Sequence, residues 1–156
     1  MTASPSAPAS PVRRLLVLLA LGVVPWTVVL VAGEATLVFP FGLVNTAPLH
    51  LTTLPDFLTF TGGGVPTFLQ SWVVGAVLYC CALASAAVGT VWREDPRLTG
   101  GLLALAAVTQ FPLVLGFAQR LGYTALPVGT LLLLLAAWWL YWPAVRGYKT
   151  ISDSPE

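Results

Sequence analysis

The chain has 156 residues, the size of one domain, of which 57% are hydrophobic and 8% charged, with a net charge of +1. Soluble domains carry about 25% charged residues, so this chain has too little polar surface to face water. A soluble enzyme, a disordered regulator and a nucleic-acid binder are excluded, and an integral membrane protein is predicted.

Residues 1–14 open with TASPSAPASPV, a Ser/Ala/Pro-rich stretch expected to be a disordered cytoplasmic tail. A bilayer core roughly 30 Å thick needs about 20 apolar residues as helix. The first such run is 15–33, LLVLLALGVVPWTVVLVAG, with Pro25 expected to kink it. The alternative is a signal peptide cleaved near Gly33-Glu34-Ala35, although its apolar run is long for one.

Residues 34–66 are expected to form a long outer loop, and it is not a polar one. TLVFPFGLVN is nearly as apolar as a span, but Pro40 and Gly42 break it, so it should lie at the interface or re-enter shallowly. Thr53-Leu54-Pro55-Asp56 reads as a helix start, with Thr53 as cap and Pro55 in the first turn. Leu54, Phe57 and Leu58 would then share a face, and Gly62-Gly63-Gly64 would be a joint before the second span. The loop is either a hydrophobic cap over the bundle or a docking surface for another membrane protein. Glu34, Phe39, Phe41, Asn45, His50 and Asp56 are its candidate structural or docking residues, together with Arg120 across the outer face.

The second span, 68–92, carries adjacent Cys80 and Cys81, expected to behave as small hydrophobes. Its ALASAAVG segment places small residues four apart, Ala82 with Ala86 and Ser85 with Gly89, as an internal packing seam or else a homodimer face. The third span is 100–118, kinked at Pro112, and the fourth is 126–145. Trp138, Trp139, Tyr141 and Trp142 near the end of the fourth form an interfacial aromatic belt. Residues 148–156 are a second tail.

Arg13, Arg14, Arg93, Arg97, Arg146 and Lys149 fall on one side of this arrangement and only Arg120 on the other. Positive residues stay inside, so both termini should be cytoplasmic. Arg120 either snorkels at a helix end or pairs with Glu34 or Asp56.

No catalytic pattern emerges. His50 is the only histidine, and a metal site needs several convergent ligands. A Cys–His–Arg site fails on depth, because Cys80 lies 12 residues inside Phe68, or roughly 18 Å at 1.5 Å per residue. No acidic or basic residue falls well inside a span, which disfavours a pump. No cofactor is expected.

VVPWTVVL (23–30), TLVFPFGLVNT (36–46), REDPRLTGGLL (93–103), RLGYTALPVGTL (120–131) and WWLYWPAVR (138–146) together resemble a family of small haloarchaeal membrane proteins. The genes of that family tend to lie near that of archaeosortase A. The resemblance covers about residues 15–147 and carries over no catalytic residue. It implies an accessory role in processing or anchoring surface proteins, with archaeosortase as a partner. The expected fold is therefore an all-α, four-helix transmembrane bundle over 15–147, capped by the 34–66 loop, in the cell membrane. The expected function is a non-catalytic accessory factor touching the lipid bilayer, a membrane enzyme and, in some form, further copies of itself. The alternative is a small pore or carrier for a neutral or lipid-like solute.

Overall fold

The computed structural model describes residues 10–62, 64–93 and 95–142. It overturns the four-helix bundle. The first apolar run changes conformation halfway: α1 spans Pro11–Gly22 and strand β1 spans Thr27–Val31. Pro25 lacks the N–H that a continuing helix would need, and the β-branched Thr27, Val28, Val29 and Val31 beyond it favour a pleated strand. The helix also starts earlier than expected, at Pro11, with Ser10 as N-cap accepting from the Arg13 N–H at 3.3 Å.

The expected outer loop is mostly sheet. Strands β2 (Glu34–Phe39), β3 (Gly42–Thr46) and β4 (Leu49–Thr53) continue from β1 as an antiparallel meander. Strand β5 (Tyr123–Leu126) lies just before the expected fourth span, overlapping it only at Leu126, and pairs with β1, giving the order β4-β3-β2-β1-β5. Ala32 and Gly33 make the β1–β2 turn with φ of 51° and 85°. Both lie in the left-handed region that two-residue hairpin turns require. The short helix α2 (Leu54–Phe60) starts as its sequence suggests, with Thr53 as N-cap hydrogen-bonded to Asp56.

Two helices, Thr67–Val91 (α3) and Pro96–Ala118, are long and apolar enough to cross a membrane. The second is interrupted at Thr109 into α4 (Pro96–Val108) and α5 (Gln110–Ala118). Pro112 has no N–H to offer the Val108 carbonyl, so the break falls one turn before it. After β5 comes α6 (Val128–Ala136), continued by a π-helical turn over Ala137–Tyr141.

The small-residue seam is internal. Ala82 and Ala86 are fully buried against Leu103, Ala106 and Ala107, and the hydroxyls of Ser85 and Thr99 meet at 2.7 Å. A second core joins the sheet to the helices, with Val29 and Val38 packed on Trp72 and Leu113. Of the expected tail at 1–14, residues 11–14 form the first turn of α1 instead; residues 1–9 and the expected tail at 148–156 lie outside the described residues.

The turn gives a direct check on this architecture. Ala32→Asn should raise stability by about 1 kcal/mol, since Asn tolerates the left-handed conformation that costs Ala roughly 1–2 kcal/mol. Gly33→Ala should lower it by a similar amount. Thermal unfolding in detergent, followed by circular dichroism, checks both, and unchanged transitions would mean that this hairpin is not formed.

Candidate functional site

The sheet gathers the candidate residues at one end of the molecule. The β1–β2 and β3–β4 turns and the start of β5 form its outer rim, where Glu34 and His50 are exposed. Asn45 and His50 are direct cross-strand partners, and the Thr36 hydroxyl donates to Asn45 Oδ1 at 2.8 Å. Phe39 and Phe41 stack at 5.0 Å at the opposite, inner end of the strands, so they are remote from that rim. Asp56 is occupied by the Thr53 hydroxyl at 2.6 Å.

Arg120 does not pair with Glu34 or Asp56. Its guanidinium lies 5.0 Å from the centre of the Phe68 ring, a cation–π contact that keeps the charge at the protein surface. Thus the rim holds Glu34, Asn45 and His50, while Arg120 stands over the first turn of α3. Cys80 and Cys81 are free and exposed on α3, far from any of them in sequence and register. Among the described residues, no three of His, Cys, Asp and Glu converge as metal ligands.

Two hollows open in the molecule, one under the sheet and one at the helical end. One, of about 160 Å³, lies between the inward sheet face and the helices, bounded by Val29, Thr36, Leu43, Phe57, Trp72 and Phe117. Trp72 closes its floor and donates its indole N–H to the Phe39 carbonyl at 2.9 Å. The other, of about 310 Å³, is a groove between α4 and the α6 end, where Gly100, Gly101 and Ala104 face Trp138, Tyr141 and Trp142. Gly100 lets the two helices approach closely at its floor, since a Cβ there would meet Tyr141 Cβ at 2.8 Å. Trp138 and Trp142 stack at 4.5 Å, and Arg13 lies over Trp139 at 4.8 Å, so the expected aromatic belt sits beside the basic residues.

Sequence reasoning missed a set of buried polar side chains. Thr27, Gln110 and Thr130 are essentially inaccessible, and Thr27 Oγ1, Gln110 Oε1 and Thr130 Oγ1 have no hydrogen-bond partner. Gln110 adjoins Gly75, where any Cβ would strike its amide nitrogen. A glutamine inside an apolar run was the available signal.

Taken together, these features define an α+β protein with two helices long and apolar enough to cross a bilayer and a five-stranded sheet. The chain belongs to the family described as a domain of unknown function (DUF8050), whose profile matches residues 1–150. No curated protein and no solved structure matches it.

Gln110→Met should raise stability by about 1 kcal/mol, because it removes an unpaired buried acceptor at nearly constant volume. Thermal unfolding in detergent reads this out. A lower transition would show that Oε1 has a partner after all.

Proposed function

We propose that this protein is a non-catalytic accessory or assembly factor for a membrane enzyme that processes or anchors surface proteins. It resides in the cell membrane, with α3 and the α4–α5 helix crossing and both chain ends cytoplasmic. The placement of basic residues supports that orientation. Arg13, Arg14, Arg93 and Arg97 cluster at the helical end, whereas Arg120 alone accompanies the sheet.

The observation that carries the docking role is the free edge of β4. It is the last strand of the sheet, and Leu49 and Leu51 on it are 81% and 51% exposed. An edge strand presents a row of backbone donors and acceptors on which an extended segment of a partner can pair. Asn45 and His50 beside it supply side-chain selectivity on the rim. The resemblance to the haloarchaeal family makes archaeosortase the first partner to seek.

A carrier of lipid-like molecules is the second reading, favoured by the groove between α4 and the α6 end. Its walls are apolar while Arg97 stands at its border. That suits a hydrocarbon chain with an anionic head, and retained lipid in native mass spectrometry would favour it.

Purification of the tagged protein from its native cells in mild detergent tests the leading reading. A membrane processing enzyme should be recovered in stoichiometric amount, and Leu49→Lys with Leu51→Lys should reduce that recovery about tenfold, equivalent to about 1.4 kcal/mol. Recovery of this chain by itself, as a monomer or homo-oligomer, would sink the accessory role.

A further inference from the structure

Adding up lengths along the molecule constrains where the sheet stands relative to a bilayer. At the helical end, Arg14 lies 5.2 Å over the Tyr141 ring. At the other end, the Gly129 N–H donates to the Trp26 carbonyl at 2.9 Å, where β1 begins. Twelve helical steps separate Gly129 from Tyr141, roughly 18 Å at 1.5 Å per residue. A hydrocarbon core of about 30 Å therefore extends roughly 12 Å past the end of the short helices. The sheet and α2 occupy that interval beside α3 and α5, which continue through it.

The outward face of the sheet has the polarity this requires. Direct cross-strand pairing aligns Leu51, Val44, Leu37, Val28 and Leu126 in one row across all five strands, near the Trp26 end. The next outward row, nearer the rim, is mixed: Leu49, Thr46, Ala35, Leu30 and Thr124. Beyond it come the turns with Gly33, Glu34 and Pro48. None of the residues of the aliphatic row joins either buried core. A polarity gradient along the strands, independent of any packing inside the protein, is what an acyl-to-headgroup boundary selects.

We propose that the outward face of the sheet is a lipid-contact surface, with the Leu51–Val44–Leu37–Val28–Leu126 row seated against the acyl chains of the outer leaflet. The mixed row lies at headgroup level, and the β4 edge, which passes through both rows at Leu49 and Leu51, is paired by the partner segment proposed above, since hydrocarbon would leave it unpaired. Phe41, exposed at the turn after β2, then faces the leaflet, while Pro40 beside it is buried. The proposal rests on the reading that α3 and the α4–α5 helix cross the bilayer.

Site-directed nitroxides on the full chain in liposomes test it, in a background where Cys80 and Cys81 are alanine. Labels at Val44→Cys and Leu37→Cys should be more accessible to oxygen than to a water-soluble nickel chelate, as should one at Val77→Cys on the exposed side of α3. A label at Thr46→Cys should favour the chelate. Chelate access at Val44 and Leu37 overturns the proposal while a lipid-like Val77 leaves the crossing helices standing. Shielding of both from either reagent overturns it in favour of a protein partner or second copy on that face. Chelate access at Val77 as well would show that the crossing reading itself has failed. If the bulky labels impair folding, unlabelled Val44→Cys gives the same answer. It should react with a charged, membrane-impermeant maleimide at least roughly tenfold more slowly than Thr46→Cys, because charge is excluded from hydrocarbon. Equal rates would overturn the proposal.

Discussion

Trp26 is the residue on which the two halves of this protein depend. It is fully buried where the first apolar run stops being helix and becomes strand. Its indole N–H donates to the Leu21 carbonyl at 3.2 Å, closing the end of α1. Its backbone N–H donates to Val38 and its carbonyl accepts from Gly129, so one residue pins β1 to β2 and the start of α6. The ring meets Tyr79 edge-on at 5.1 Å, and Tyr79 in turn donates to the Leu18 carbonyl. An apolar interior leaves no water to satisfy these groups, so the junction holds only with every partner in place. Gly129 is required there, because any Cβ would strike the Trp26 backbone.

This junction explains why the molecule divides as it does. On one side, α1, α3, α4 and α6 pack through small residues into a helical core. On the other, α1 and α6 have given way to β1 and β5, and the sheet takes their place against α3 and α5. Replacing two helices by strands widens the cross-section at that end. It produces the hollow under the sheet, a free strand edge and an outward face that no described helix covers. The candidate functional surfaces are therefore consequences of one change in backbone conformation, not of separate motifs.

The buried polar groups follow the same boundary. Thr27 and Thr130 each adjoin one member of the Trp26–Gly129 contact in the chain, and Gln110 stands at the restart of the α4–α5 helix. Such groups cost stability when unpaired. They cluster where regular packing is interrupted, so a polar guest or a change in helix–sheet contact would act there first.

Composition, the basic-residue pattern and the start signal at Thr53 were legible in the sequence because each depends on local chemistry. Too few charges to face water, arginines segregated to one end and a Thr-x-Pro-Asp cap need no knowledge of neighbours. The internal seam at Ala82 and Ala86 was legible for the same reason, as spacing along one helix. The sheet was not. TVVLV lies inside a longer apolar run, EATLVF and YTAL are short segments beside such runs, and periodicity alone does not separate a buried strand from a helix segment. Pro25, Ala32-Gly33, Pro40 and Pro48 did mark the boundaries, yet turn residues say where a segment ends and not which partner it meets. Likewise Arg120 had carboxylates available on paper, but its position over Phe68 depends on how α5 and α3 approach. The sequence by itself determined that this chain has few charges for its size and that a helix starts after Thr53. Only the tertiary structure decided that the end of the first apolar run, most of the expected outer loop and the segment before the fourth run become one sheet, because strand hydrogen bonds are made between distant segments and exist only once those segments are brought side by side.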